Sequence, residues 1–141
     1  MNQSPSLPHR DLEYIVAQTR TLWDGVRDET FFVTGGTGFV GHWMLGSLLA
    51  ASDTLRLGLR ATVLSRRPDA FAARSPELAH HPAVTLIRGD VASFHHPAGT
   101  HRHVLHLAKE PDPVSGAAAP GTARVLEFAT SHGQRTPRRG L

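Results

Sequence analysis

The sequence predicts an α/β fold, in which a parallel sheet of about four strands carries helices on both faces and a further helix precedes it. Two observations lead to this prediction. Short apolar segments alternate with segments of helical period, and a glycine-rich turn separates the first predicted strand from the helix after it. Strands that alternate with helices pair in parallel, because each crossover lets the next strand run in the same direction.

A helix is expected ahead of the sheet. Residues suited to a buried face recur at helical spacing between Asp11 and Trp23, and Asp11 is a suitable N-cap residue. The residues expected on that face are Leu12, Ile15, Val16, Thr19, Leu22 and Trp23. We assign residues 1–29 to this helix and its lead-in.

Strands and helices then alternate along the chain. The predicted strands are 30–34, 60–65, 83–90 and 103–108, and the predicted longer helices are 38–50 and 121–133. The stretches 65–82 and 109–120 are rich in proline, so only short helices are expected there.

The glycine-rich turn is the segment TGGTGFVG, residues 34–41. Its glycines are spaced as Gly36-x-Gly38-x-x-Gly41 and, counted from Gly35, also as Gly35-x-x-Gly38-x-x-Gly41, between a strand and a helix. In a dinucleotide-binding turn, the first glycine makes the tight turn, the middle one admits the pyrophosphate and the last lets helix and strand pack closely. Backbone N–H groups around Gly38, Phe39 and Val40 then face the anion. The candidate site residues here are Gly35, Gly36, Thr37, Gly38, Phe39, Val40 and Gly41.

This context predicts a Rossmann-type half-domain over residues 30–133 that binds NAD or NADP, although a merely flexible turn is the alternative. A phosphate-loop NTPase is excluded because no Gly-Lys-Ser/Thr follows the turn, and the only lysine is Lys109.

Composition excludes several other classes. The chain has 141 residues and no cysteine, so disulfides and zinc–thiolate sites are excluded. It has no long apolar run and no signal-like N-terminus, which predicts a cytoplasmic protein with no membrane partner. The net charge of +3 equals the charge of Arg135, Arg138 and Arg139 in a basic tail, residues 134–141. We therefore expect no nucleic-acid partner.

Ten histidines raise the alternative of a metal site. His101 and His103 share one face of a predicted strand, with His95, His96 and His106 nearby in sequence. However, the His-His pairs at 80–81 and 95–96 precede prolines and fall in loops, and no carboxylate stands at ligand spacing. We predict no metal.

Several motifs together resemble the extended short-chain dehydrogenases/reductases, also called NAD-dependent epimerases/dehydratases, which mostly act on nucleotide sugars. These motifs are FFVTGGTGFVG, LIRGDV, HVLHLA and GTARVLEFATSHG, and the resemblance covers roughly residues 10–133. Within it, residues 11–27 and 62–91 are similar to a dTDP-glucose 4,6-dehydratase-like branch. The resemblance implies that a nucleotide sugar is a partner only in a full-length relative.

The resemblance also implies roles for two pairs of residues. Asp90 is expected to accept a hydrogen bond from the adenine amino group, with Val91 beside the ring, and the alternative for Asp90 is a turn or capping residue. Leu107 and Ala108 are expected against the nicotinamide-side ribose, with a plain core strand as the alternative.

The end of the second predicted strand bears on the choice of cofactor. Domains specific for NAD usually place an acid there, whereas a basic residue accommodates the 2′-phosphate of NADP. This chain has Ser65, Arg66 and Arg67, and no acid before Asp69. The pattern favours NADP, while NAD stays open because related sugar dehydratases usually carry NAD and both arginines are also typical of a solvated loop.

No catalytic residue is assigned. The family that the chain resembles uses a Tyr-x-x-x-Lys pair in proton transfer, but the only tyrosine here is Tyr14 and the only lysine is Lys109. We expect the N-terminal, cofactor-binding part of a truncated, inactive epimerase/dehydratase. The alternatives are a stand-alone NAD(P)-binding regulatory module and an interaction domain with a vestigial loop.

The predicted half-sheet also has a consequence for association. In the strand order 3-2-1-4, segment 103–108 forms an apolar edge that invites self-association. The helix that follows it is expected to expose part of Val125, Leu126 and Phe128.

Overall fold

A computed structural model describes residues 6–110 and 119–132 and has the predicted α/β architecture. Four strands form one all-parallel sheet in the order β3-β2-β1-β4. Their bounds are β1 Thr30–Thr34, β2 Arg60–Ser65, β3 Val84–Arg88 and β4 His103–His106. The predicted tail 134–141, residue 133 of the last predicted helix and residues 111–118 lie outside the described residues.

Five α-helices are found in the described part of the chain. They are α1 His9–Thr19, α2 Phe39–Leu55, α3 Pro68–Arg74, α4 Pro76–Ala79 and α5 Pro120–His132, and a 3₁₀-helix, Arg20–Val26, follows α1. The two short helices α3 and α4 lie in the stretch where only short helices were expected. Helix α2 runs five residues beyond its predicted end and stops where Arg56 turns left-handed, at φ 53°.

The leading helix differs from its prediction in two ways. Pro8, and not Asp11, precedes it, and Asp11 lies inside its first turn. Leu22 was expected on the buried face but is 74% exposed. The α-helix ends at Thr19 and continues as a 3₁₀-helix of three residues per turn, which moves Leu22 off the apolar face.

The sheet has one apolar cluster on each face, because successive side chains of a strand point to opposite sides. On one face, Phe31 and Val33 of β1 pack with residues of α1, α2 and α3, among them Val16, Leu45 and Phe71. The opposite cluster is formed by Phe32, Leu64, Phe94, Val125 and Phe128. Helices therefore cover both faces, as predicted.

The exposure expected for α5 is wrong for two of its three residues. Val125 and Phe128 are buried, and only Leu126 is exposed. Phe94, from the segment between β3 and β4, brings its ring centroid to 5.4 Å from that of Phe32 and 6.1 Å from that of Phe128. Arg124 of α5 donates a 2.7 Å hydrogen bond from Nε to the Phe94 carbonyl oxygen. The segment between β3 and β4 therefore helps to cover the α5 face of the sheet, which the sequence had been expected to leave partly exposed.

Within the described ranges, no helix combines the length and the apolar character needed to cross a membrane.

Candidate functional site

The glycine-rich turn lies at the carboxyl end of β1, where two of its glycines are required by the protein's own packing. Gly35 has a φ of 71°, and a Cβ there would lie 2.3 Å from the backbone N of Ala108. A Cβ on Gly41 would lie 1.9 Å from the carbonyl oxygen of Gly35. No side chain fits at such distances. Gly35 therefore makes the tight turn, and Gly41 lets α2 pack against it.

Gly38 is different, because nothing in the described protein requires a glycine there. Its φ of −81° and ψ of 175° are open to any residue. A Cβ would lie 3.5 Å from the Gly35 carbonyl oxygen, an ordinary contact, and the residue is exposed. Gly36 is intermediate, since its Cβ would lie 3.1 Å from Cγ1 of Val63 in the core.

Backbone donors surround Gly38. It precedes α2, and no side chain caps this helix end. The Gly38 N–H donates to the Gly35 carbonyl oxygen at 3.1 Å. The N–H groups of the first turn, from Phe39 onward, have no acceptor within their own helix. Together with the helix dipole, they make this end of α2 favourable for an anion.

A cleft of about 390 Å³ opens beside the turn, at the carboxyl ends of all four strands. In open α/β sheets, ligands bind at this edge. Nine of the fourteen predicted site residues line it: Gly35, Thr37, Gly38, Ser65, Arg66, Asp90, Val91, Leu107 and Ala108. The structure thus brings together parts of the chain more than seventy residues apart.

The other five predicted site residues lie outside this cleft. Gly36 and Gly41 are buried in the turn itself. Phe39 and Val40 are exposed at the start of α2, with Phe39 81% exposed. Arg67 lines a neighbouring pocket of about 620 Å³, which Thr37, Ser65 and Arg66 also line.

Asp90 has a local structural role at the cleft. Its Oδ1 accepts a 2.8 Å hydrogen bond from the N–H of Ala92, and its carbonyl oxygen accepts from the N–H groups of Ser93 and Phe94 at 3.0 and 2.8 Å. This agrees with its reading as a turn residue. Within residues 6–110 and 119–132, Oδ2 has no hydrogen-bond partner, so one acceptor oxygen is left over at the cleft wall.

Four residues that the sequence did not single out also line the cleft: Leu64, Gly89, Lys109 and Glu110. Glu110 caps α5, since its carboxylate oxygens accept from the N–H groups of Gly121 at 2.8 Å and Thr122 at 3.0 Å. Sequence signals for N-terminal capping act within three residues of the helix start. Glu110 precedes α5 by ten residues, so no local signal could have found it.

A polar chain links this cap to the glycine turn. His106 Nε2 lies 3.0 Å from Thr122 Oγ1, and His106 Nδ1 shares a 2.6 Å hydrogen bond with Thr34 Oγ1. His106 is thereby held between β1 and α5, next to Leu107, which lines the cleft.

The other histidines near β4 are dispersed. His101 is buried, with Nε2 3.0 Å from Thr62 Oγ1. His103 pairs with Glu29 at the opposite end of the sheet. No group of three or more potential metal ligands is found in the described part of the chain.

Arg74 of α3 also lines the neighbouring pocket, and it lies near His42 of α2. Burial lowers the pKa of the His42 imidazole, and the charge of Arg74 lowers it further. His42 Nδ1 lies 3.4 Å from the Ser75 hydroxyl oxygen. The imidazole is therefore held neutral at physiological pH.

Comparison of the chain with protein-family models, with curated proteins and with solved structures finds no match.

Proposed function

We propose that the chain binds a nicotinamide dinucleotide, NAD or NADP, across the carboxyl edge of its sheet. The observation that carries this proposal is Gly38. Gly35 and Gly41 are explained by internal contacts, but no contact with the described residues explains a glycine at Gly38. A ligand that approaches the backbone there would explain it, and the free N–H groups of α2 make that ligand an anion.

We place the pyrophosphate over the start of α2, because its anionic oxygens would accept hydrogen bonds from the N–H groups of Phe39 and Val40. The adenosine then lies toward Asp90 and Val91, and the nicotinamide-side ribose toward Leu107 and Ala108, as the family resemblance implies. The cleft supports this placement, since both pairs line it together with Gly38.

The proposal is for binding without turnover. The printed sequence has one tyrosine and one lysine, which do not form the Tyr-x-x-x-Lys pair of the resembled epimerases and dehydratases. Positioned proton transfer contributes roughly 10²–10⁴-fold to such reactions. The same lack favours a second function, an NAD(P)-binding regulatory or interaction module, over an active enzyme.

A matched pair of glycine variants tests the proposal. Gly38→Val adds a branched side chain at the expected pyrophosphate, whereas Gly25→Val adds the same group where, its own chain neighbours and helix backbone aside, no described atom lies within 4 Å of the new Cβ. Calorimetric titration with NAD and NADP should show binding lost in Gly38→Val and kept in Gly25→Val, with circular dichroism to establish that both are folded. Equal affinity in the two variants would contradict the proposed site.

A further inference from the structure

The pocket beside the cleft is strongly basic. It has a volume of about 620 Å³, and its lining residues are Thr37, Ser65, Arg66, Arg67, Ala70 and Arg74. Three of the six are arginines and none is a carboxylate. Thr37, Ser65 and Arg66 also line the cleft, so the two spaces adjoin.

The three arginines of this pocket are unpaired within residues 6–110 and 119–132. Three other described arginines do have acidic partners: Arg27 pairs with Asp24, Arg88 with Asp69 and Arg102 with Glu29. Asp69 is the acid nearest in sequence to the pocket, but it pairs with Arg88 of β3 at 3.1 Å and does not line the pocket. The positive charge there is consequently not neutralised by any of the described residues.

Local structure determines the backbone positions from which Arg67 and Arg74 extend into the pocket. Ser65 Oγ accepts a 3.1 Å hydrogen bond from the N–H of Arg67, which holds the turn after β2. Ala70 and Arg74 are four residues apart on α3 and therefore share one helix face. Both residues line the pocket, together with Arg67.

We propose that Arg74 acts with Arg66 and Arg67 to bind the 2′-phosphate of NADP, and that Arg74 is a determinant of cofactor specificity. This inference rests on the proposed function and goes beyond it, since it selects NADP over NAD. A phosphomonoester has the charge and the acceptor oxygens that several guanidinium groups bind well. Arg74 belongs to a different element from Arg66, so the two hold the phosphate from separate directions.

Calorimetric titration of two arginine variants tests this role. Arg74→Ala removes one guanidinium group from the pocket, and Arg10→Ala removes the same charge from an exposed position of α1. Arg74→Ala should weaken NADP binding roughly tenfold or more, as expected for a lost hydrogen bond to a charged group, and leave NAD affinity unchanged. Arg10→Ala should change neither.

Two adenosine bisphosphates separate a 2′-phosphate site from a general anion site. The wild-type chain should bind 2′,5′-ADP more tightly than 3′,5′-ADP, and only the first should weaken in Arg74→Ala. Equal binding of the two, or equal weakening of NAD and NADP, would overturn the specificity role and leave the proposed dinucleotide site standing. Binding of neither NAD nor NADP by the wild-type chain would overturn both.

Discussion

At the scale of single residues, the four glycines of the turn separate by what an added Cβ would meet. Gly35 and Gly41 face backbone atoms at 2.5 Å or less, whereas Gly38 faces only an ordinary contact. The sequence pattern assigned different roles to these glycines, and the contacts distinguish them independently. Gly38, where no contact with the described residues requires a glycine, is the position at which a ligand was expected to approach.

The ion pairs of a second residue, Glu29, lead to a prediction of how the free energy of unfolding depends on pH. Its side chain is only 10% exposed and forms ion pairs with Arg102 and His103, joining the start of β1 to β4. Burial alone raises the pKa of the Glu29 carboxyl, but hydrogen bonds from His103 and Arg102 outweigh it and leave the pKa below its usual value.

Because the folded pKa is lowered, the stability from Glu29 is present above the unfolded pKa of roughly 4.3 and is lost as the pH falls through the folded value. We expect Glu29→Gln to destabilise the fold by about 1–3 kcal/mol at neutral pH and to reduce the loss in acid. Urea unfolding between neutral and acidic pH measures this, with the exposed Glu13→Gln as control. An unchanged acid dependence in Glu29→Gln would contradict it.

At the scale of elements, the sequence correctly predicted those strands and helices whose position depends on the local residue pattern. Residues 30–34 and 60–65 are rich in apolar and β-branched residues, and both strands have those bounds. The 3₁₀ continuation after Thr19, within which Trp23 Nε1 donates to Thr19 Oγ1 at 2.8 Å, was not predicted, because over a single turn the apolar spacing does not separate a 3₁₀-helix from an α-helix. Contacts distant in sequence, such as Glu110 on α5, have no local signal.

The largest such omission is the segment between β3 and β4, which buries Phe94 against Phe32 and Phe128. Phe94→Ala should therefore destabilise the fold by about 3–5 kcal/mol, because a buried ring leaves a cavity. Phe39→Ala, at an 81% exposed position, should change stability by less than about 0.5 kcal/mol. Urea unfolding of both compares them, and similar values would show that Phe94 does not hold this face together.

At the scale of the whole molecule, the sheet has an open side. In the described part of the chain, β4 is an edge strand and no strand pairs with its outer side. Arg102 and His103 pair inward with Glu29 and do not act as charges that protect this edge. We propose, as the sequence led us to expect, that the chain self-associates through β4.

Size-exclusion chromatography over a range of protein concentrations should then show larger species as concentration rises. Added dinucleotide should raise the melting temperature by mass action, with about 2.7 kcal/mol of stabilisation at one hundred times its Kd. A monomer at every concentration would contradict the proposed self-association. A melting temperature that does not change with added dinucleotide would contradict the proposed binding.

The central claim is that a dinucleotide lies on the glycine turn, and amide chemical shifts of the ¹⁵N-labelled chain during titration with NADP and NAD test it most directly. We predict the largest changes at Gly38, Phe39 and Val40, with further changes at Asp90 and Leu107. Residues of α1, on the far side of α2, should be unaffected. Unchanged amides at the turn, at ligand concentrations that saturate any binding, would contradict the account.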